Sequence, residues 1–286
     1  MQYKVELTGK PSLLSLYRKI FFVKKPGWDG KALPSILVTQ KNVKVSHRRA
    51  ERYSEVCGFE FDGRILPPTY LHIVMFRLHA TLFTHKAITF PLLGMIHLQN
   101  QITHYRHVTI DESIDCSCEL VESEVTDKGI EFVFYSKAVV SGELVWESRS
   151  TYLYRNEEKR RSRPPRANNI AWENAISTEI DEDLGRRYAK ASGDYNLIHL
   201  YPFLSKRFGF DKVLVHGMWS KAYCLSQLMP KLESSAFSID VAFKLPVFMP
   251  GTITFNYETQ ENGLSFEMRD KKGKRPHLTG ELIYLN

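Results

Sequence analysis

Long apolar runs are absent from this sequence of 286 residues. No window approaches the roughly 18 uninterrupted apolar residues of a membrane-spanning helix, so no membrane segment is predicted. The opening residues have no apolar core followed by a small-residue cleavage site, and a signal peptide is therefore not predicted either. These two absences predict a soluble protein of the cytoplasm that has no membrane partner.

Cysteine is scarce as well, with only Cys57, Cys116, Cys118 and Cys224. The four residues have no zinc-binding spacing, and the single C-x-C pair has no His or Cys partner nearby in the sequence. We therefore predict no metal site. All four cysteines are interpreted as reduced thiols, mostly packed as small apolar groups.

Signatures of nucleic-acid binding are also missing, although the formal net charge is +7. Nucleic acid is therefore not a predicted partner. Much of the positive charge lies in RNEEKRRSRPPR, residues 155–166, which holds six Arg or Lys and two Glu. This stretch is interpreted as a solvated linker, with attraction of a phosphate-bearing ligand as the functional alternative.

The basic stretch is the best boundary along the chain, because its paired prolines and polar residues interrupt regular structure. We predict two domains, at residues 1–154 and 171–286, joined by a linker at residues 155–170. A faint internal repeat supports two copies of one fold. Three residues of ERYSEVCGFEF, at 51–61, match RRYAKASGDYN, at 186–196, at a constant offset of 135.

The second half has the clearer pattern of elements. Short helices are predicted at residues 184–193 and 201–209, each followed or closed by a glycine. Residues 216–230 are apolar on nearly every face, which is typical of a buried helix. Alternating segments rich in β-branched residues then predict strands at residues 237–247, 251–260, 264–270 and 277–285. The Asn262–Gly263 pair predicts a hairpin turn between the middle two strands.

One long buried helix with an antiparallel sheet wrapped around it is the hot-dog arrangement. The first half fits it more loosely, with a helix within residues 67–84 and strands within residues 109–127, 129–141 and 142–155. The predicted fold class is therefore α+β, a double hot-dog in which two antiparallel sheets each wrap around a central helix.

The stretch SGDYNLIH, residues 192–199, sets the carboxylate of Asp194 and the imidazole of His199 five residues apart. An irregular connector lets both side chains turn toward one point, which neither helical nor strand spacing does at this separation. Two titratable groups beside one water molecule can remove a proton from that water and deliver a proton to a substrate. The pair therefore predicts the addition or removal of water.

Residues 192–222 resemble the MaoC-like dehydratase family, also called R-specific enoyl-CoA hydratases or hydratase 2. The family pattern runs S-G-D-x-N-P-x-H, a short helix, G-F, and H-G-M opening the central helix; only the Pro is missing, and Leu197 stands in its place. Residues 243–251, FKLPVFMPG, also look like the family's strand after that helix. The resemblance covers most of residues 180–286, and the first half resembles only the degenerate repeat of two-hot-dog members.

The resemblance implies a hydro-lyase of fatty-acid-type metabolism, which hydrates enoyl thioesters reversibly or dehydrates (R)-3-hydroxyacyl thioesters. It implies Asp194 and His199 as catalytic residues, with Asp194 acting on the water proton and His199 orienting the water and exchanging the proton at C2. The backbone N–H of Gly217, at a helix N-terminus, would stabilise negative charge on the thioester oxygen. The other predicted substrate-binding residues are Asn196, His216 and Lys244. No cofactor is implied, because the thioester of coenzyme A or of an acyl-carrier protein is the substrate.

The first half lacks this chemistry. The offset of 135 places Phe59 and Arg64 at the positions of Asp194 and His199, and these two cannot form an acid–base pair. The histidines of this half show no triad or metal spacing and are interpreted as structural or surface groups: His72, His79, His85, His97, His104 and His107. We expect this half to cover the catalytic half and to shape the room for the acyl chain.

Two other functions stay open. A thioesterase of hot-dog fold would use one carboxylate to direct water at the thioester carbonyl, and the intact His199 argues against it. A non-catalytic acyl-binding subunit is favoured mainly by Leu197, because losing proline loosens the φ angle of the connector. A homodimer is compatible with the sequence. Coenzyme A is favoured over a carrier protein, because the hydratase resemblance is closest there.

Overall fold

A computed structural model describes residues 2–92, 95–155 and 174–285. The α-helices in these ranges are α1 (Leu13–Phe22), α2 (His47–Cys57), α3 (Tyr70–Thr84), α4 (Leu184–Ser192), α5 (Pro202–Lys206) and α6 (Gly217–Leu228). The strands of the first half are β1 (Gln2–Leu7), β2 (Ser35–Val43), β3 (Ile96–His104), β4 (Ile114–Thr126), β5 (Gly129–Val140) and β6 (Glu143–Arg155). Those of the second half are β7 (Ile176–Ile180), β8 (Val213–Leu214), β9 (Phe237–Phe243), β10 (Phe248–Met249), β11 (Gly251–Gln260), β12 (Gly263–Asp270) and β13 (Pro276–Tyr284).

The predicted linker lies, apart from Arg155, outside the described residues. The domain boundaries at residues 154 and 171 therefore stay predictions.

The first half wraps a sheet around α3. Strands β2, β4, β5, β6 and β3 pair antiparallel in that order, and β1 extends the edge parallel to β2. Helix α3 is buried over most of its length, because apolar side chains occupy all of its faces. On β5, buried side chains such as Phe132 and Phe134 alternate with more exposed ones, so one face of the sheet closes on the helix.

The second half repeats this plan around α6. Strands β9, β13, β12, β11 and β7 pair antiparallel, and a two-residue loop joins β11 to β12 where Gln260 pairs with Gly263. This confirms the predicted hairpin between these strands, but the turn lies one residue earlier than predicted: its loop residues are Glu261 and Asn262, and Gly263 is the first paired residue of β12. Helix α6 has only two residues that are not fully buried, which confirms the predicted central helix. Both halves therefore have the predicted hot-dog form.

The two predicted sheets are joined edge to edge. Strand β3 of the first half pairs antiparallel with β9 of the second, in a register that sets Ile102 opposite Ile239. Within the described residues the result is one sheet of 11 strands. The buried Lys221 of α6 lies at this junction, and its Nζ donates to Asn100 O (2.8 Å), Asn100 Oδ1 (2.7 Å) and Ile239 O (3.0 Å).

The internal repeat also has a structural counterpart. Helix α2 ends at Gly58 (φ 80°) and α4 ends at Gly193 (φ 86°), and both glycines have the left-handed conformation that closes a helix. The matched tyrosines, Tyr53 and Tyr188, pack together with ring centroids 6.0 Å apart. The two copies of this helix therefore contact each other across the halves.

Two further sequence predictions concern cysteine and membranes. All four cysteines are buried and form no disulfide, as predicted. Burial raises the pKa of Cys116 and of Cys118 to about 12, so these thiols are protonated at neutral pH. No helix within the described ranges has both the length and the apolar character needed to cross a membrane.

Candidate active site

Asp194 lies at the start of the connector between α4 and α5. Its backbone N–H donates to Ser192 Oγ (3.1 Å), and its Oδ1 accepts the backbone N–H of Asn196 (3.1 Å). Burial raises the pKa of the Asp194 carboxyl, and the opposing effects of His199 and of the Asn196 N–H are smaller. A carboxyl group held this way is a stronger base than an exposed aspartate.

His199 closes a short 3-10 turn, Leu197–His199, so Leu197 forms the turn in the place of the family's proline. The Nδ1 atom of His199 lies 2.8 Å from Leu214 O. A carbonyl oxygen only accepts hydrogen bonds, so Nδ1 carries the hydrogen and Nε2 of the neutral ring keeps its lone pair. Burial lowers the pKa of His199, against the influence of Asp194, and this favours the neutral ring.

His216 connects these two residues. Its Nε2–H donates to the backbone carbonyl of Asp194 (3.1 Å), and its ring stacks on His199 with centroids 3.9 Å apart. Burial lowers the pKa of His216 well below its usual range, so this ring is neutral as well. Its contacts are those of a residue that positions Asp194 and His199, and its substrate-binding role stays a prediction.

Gly217 is the first residue of α6, where the leading N–H groups of a helix have no intrahelical acceptor. A Cβ atom at this position would lie 3.2 Å from the ring of Phe243, so glycine keeps the ring close to the helix end. Asn196 Oδ1 is buried and has no hydrogen-bond partner among the described residues. Lys244 is exposed just after β9.

All six predicted site residues line one cavity of about 880 Å³: Asp194, Asn196, His199, His216, Gly217 and Lys244. Among the residues that the structure describes, Asp194 and His199 form no ion pair or hydrogen bond with each other. The cavity continues into the first half, where α3 contributes Phe76, Ala80 and Phe83 to its wall. The expectation that the first half shapes this space therefore agrees with the structure.

The first half also holds the connector in place. The phenol of Tyr17, on α1, donates to Gly193 O (2.9 Å) and accepts the backbone N–H of Tyr195 (2.6 Å), which are the two neighbours of Asp194. On α2, Arg49 Nη2 donates to the carbonyls of Ala191 (3.3 Å) and Ser192 (3.2 Å) at the end of α4. The sequence analysis missed both residues, since neither has a motif and each acts across more than 140 residues of chain.

In the first half, the positions that the offset of 135 aligns with Asp194 and His199 carry other groups, as predicted. Phe59 is buried in the core and Arg64 is exposed. Three of the histidines that were interpreted as structural or surface groups, His72, His79 and His97, line the cavity. Within residues 2–92, 95–155 and 174–285, no three His, Cys, Asp or Glu side chains converge in a way that could hold a metal ion.

Known proteins share sequence with this chain. Residues 158–280 match the sequence model of the family described as "MaoC like domain". The chain is 26% identical over 250 residues to 3-hydroxyacyl-thioester dehydratase X of Mycobacterium tuberculosis. The aligned region covers 86% of this chain and 89% of that protein.

Solved structures show the same relationship. The crystal structure of HtdX from Mycobacterium tuberculosis superposes with a TM-score of 0.77 at 26% identity, over 87% of this chain and all of that one. A MaoC-like dehydratase from Phytophthora capsici has a TM-score of 0.70 at 18% identity, over 89% of this chain and 96% of that one, which shows the shared fold. The C-terminal half of the chain therefore contains a MaoC-like domain, and the fold of the chain is that of the MaoC-like dehydratases.

Proposed function

We propose that this protein is a hydro-lyase that adds water to enoyl thioesters and, in reverse, dehydrates (R)-3-hydroxyacyl thioesters. The observation that carries the proposal is the placement of Asp194, the unprotonated Nε2 of His199 and the N-terminus of α6 on one cavity. The name of the similar protein from Mycobacterium tuberculosis, a 3-hydroxyacyl-thioester dehydratase, supports the same reaction.

In the hydration direction, a water molecule between Asp194 and His199 attacks C3 of the substrate. Asp194 takes a proton from this water, which His199 orients through Nε2. The proton then passes from Asp194 to Nε2 of His199, which delivers it to C2. The Gly217 N–H stabilises the negative charge that develops on the thioester oxygen. The positive end of the α6 dipole adds to this stabilisation. One water is added across the double bond, and both side chains return to their starting forms.

Substrate binding is proposed for the remaining residues of the cavity. Asn196 would offer its unpaired Oδ1 to a donor on the substrate or the water. Lys244, exposed beside the cavity, would meet a phosphate of the carrier. Cytoplasmic location, a role in fatty-acid-type metabolism and a homodimeric state stay predictions.

Coenzyme A is the proposed carrier. A small carrier held by a few phosphate contacts responds modestly to salt, whereas an acidic carrier protein is steered by the wider basic surface and loses rate steeply as ionic strength rises. Matched substrates on the two carriers are compared by kcat/KM across a salt series. A preference of about tenfold or more for the carrier protein at low salt, lost at high salt, would reject coenzyme A.

The reaction itself is tested with crotonyl-CoA and octenoyl-CoA and two readouts, the absorbance of the conjugated thioester and the release of free thiol. Hydration removes the absorbance and releases no thiol. Release of thiol would make the protein a thioesterase, the alternative with one directing carboxylate. Neither change, with bound substrate, would make it a non-catalytic acyl-binding subunit.

A further inference from the structure

Three histidines of the first half line the part of the cavity formed by α3 and β3. His72 and His79 lie two turns apart on α3, and His97 lies on β3. The ring of His72 is 5.1 Å from that of His79 and 6.4 Å from that of His97. We call these three residues the distal histidine cluster.

All three imidazoles are neutral at physiological pH. Burial lowers the pKa of His79 to about 4 and that of His97 to about 3, and it lowers the pKa of His72 well below its usual range. A neutral imidazole offers one hydrogen-bond donor and one acceptor. The cluster therefore presents hydrogen-bonding groups without a net charge.

The hydrogen bonds of the cluster are incomplete within the described part of the protein. His79 Nε2 lies 2.8 Å from Ser136 Oγ. His72 Nδ1 and His97 Nε2 are shielded from solvent and have no partner among the described residues. Buried polar atoms are nearly always paired, so two such atoms at one cavity indicate a ligand that pairs with them.

The surroundings of the cluster are apolar. Phe76, Ala80 and Phe83 line the same part of the cavity, and the ring of His97 stacks on Tyr152 at 4.5 Å. A plain alkyl chain would match these apolar walls but would leave both nitrogens unpaired. An oxygen atom on the chain could pair with them.

The cluster is separate from the reacting groups but close enough to touch the same substrate. Phe243 stands between them, since its ring lies 4.9 Å from that of His97 and also packs against Gly217. Lys221 lies near His72 and His97, but its three hydrogen bonds are made to Asn100 and Ile239. Burial lowers the pKa of Lys221 well below its usual range, and its bonds to Asn100 and Ile239 leave the cluster to the three histidines.

We propose that the distal histidine cluster binds a neutral oxygen function, a hydroxyl or a carbonyl, carried by the acyl chain beyond the reacting carbons. The substrates would then be oxygen-substituted acyl thioesters, in preference to plain alkyl ones. This inference rests on the proposed function, because it takes the acyl chain of a thioester as the ligand.

The test compares enoyl-CoA substrates of equal chain length, with and without one hydroxyl or keto group, and moves that group along the distal half of the chain. At the position that reaches the cluster, kcat/KM should rise at least roughly fivefold, the ratio that one net hydrogen bond of about 1 kcal/mol gives. Crotonyl-CoA, which is too short to extend far beyond the reacting carbons, serves as the reference for the chemistry.

Variants then assign the preference to the cluster. His97→Phe keeps the aromatic stacking on Tyr152 and should reduce the ratio to about one, while crotonyl-CoA is hydrated at the wild-type rate. His72→Phe should do the same, and it provides a second variant if one of the two fails to fold. The exposed His107, outside the cavity, supplies the control His107→Phe, which should keep the preference.

The outcomes separate the two proposals. If crotonyl-CoA is hydrated but no oxygen-substituted chain is preferred at any position, the cluster is not an oxygen site. If both variants keep the preference, the oxygen binds elsewhere. If crotonyl-CoA is not hydrated at all, the proposed function fails, and binding constants of the same substrate pairs, measured by calorimetry, still decide whether the cluster favours oxygen.

Discussion

At the scale of single residues, Asp194 has surroundings that oppose its charge. Its carboxyl group is buried beside neutral rings, and the nearest compensation is one backbone N–H and the imidazole of His199. The pKa in the folded protein is therefore raised above its value in the unfolded chain. A raised pKa contributes stability at low pH, and that stability is lost as the pH rises through the folded-state pKa. At neutral pH the ionised form works against folding.

Asp194→Asn should consequently raise the melting temperature at pH 7, because the amide has the same shape and no charge to bury. The gain should shrink as the pH falls through the raised pKa of Asp194, where the wild-type carboxyl becomes neutral as well. Thermal unfolding of both proteins between pH 4 and pH 8 measures this difference. The exposed turn residue Asp127 supplies the control Asp127→Asn, which should show no such gain. A variant less stable than wild type at pH 7 would contradict the burial argument.

Residues of the site differ in how far the sequence could predict them. Asp194, His199 and Gly217 belong to one contiguous motif, so their types and spacing carried the prediction. Tyr17 bonds to Gly193 and Tyr195, the neighbours of Asp194, only because the chain folds back over more than 170 residues, and no local pattern records this. The histidines of α3 were predicted as structural groups for the same reason, since the cavity wall that they share with the second half is formed only by tertiary packing.

At the scale of elements, α1 acts on the catalytic connector through Tyr17. Tyr17→Phe keeps the ring packed against Tyr195 but removes both hydrogen bonds that bracket Asp194. Each bond contributes only about 1 kcal/mol, so kcat should fall by about tenfold with little change in KM. Steady-state kinetics with crotonyl-CoA measure this.

A neighbouring phenol provides the control for this change. The side chain of Tyr195 is exposed, so Tyr195→Phe should keep the wild-type kcat. An unchanged kcat in Tyr17→Phe would mean that α1 does not position the connector.

Helix α4 approaches the connector so closely that it requires glycine. A Cβ atom on Gly185 would lie 1.9 Å from the backbone carbonyl oxygen of His199, and no real contact is that short. Gly185→Ala should therefore displace His199, lower the stability by about 1–3 kcal/mol or more, and reduce turnover. Denaturant unfolding and kinetics check both effects. Gly9→Ala is the control, because a Cβ atom there would meet nothing within 4 Å. Wild-type turnover in Gly185→Ala would show that the connector can shift without loss.

The elements that the sequence predicted are those with local signals. The apolar faces of α6, the glycine that ends α4 and the hairpin between β11 and β12 each depend on neighbouring residues. The elements of residues 2–43 were not predicted, since β1 pairs parallel with β2 across an intervening helix and α1 depends on contacts with distant parts of the chain. Strand β7 was not predicted either; it lies at the edge of the 11-stranded sheet and pairs only with β11.

At the scale of the whole molecule, the two halves share a sheet, a cavity and several hydrogen bonds. The sequence repeat predicted two similar units, but the β3–β9 pairing that joins them was not predictable, because backbone hydrogen bonds between strands have no specific sequence signature. The first half thus supplies the strand β3 that pairs with β9, a wall of the cavity, and the residues that hold the connector.

The second half should therefore fold poorly by itself. A fragment of residues 167–286 would expose the β9 edge and would leave Lys221 without its bonds to Asn100. It should be poorly soluble or aggregate, as judged by size-exclusion chromatography and circular dichroism. A monodisperse, monomeric and fully folded fragment would contradict this.

The central claim is that Asp194 and His199 manage the protons of hydration, and turnover of an enoyl thioester by single-residue variants tests it most directly. The rate of loss of the conjugated absorbance of crotonyl-CoA is measured for wild type, Asp194→Asn, His199→Ala and the control Asp127→Asn. We predict that kcat falls at least roughly 10²-fold in each site variant with the fold intact, and that the control stays at the wild-type rate. A rate near that of wild type in either Asp194→Asn or His199→Ala would contradict the account.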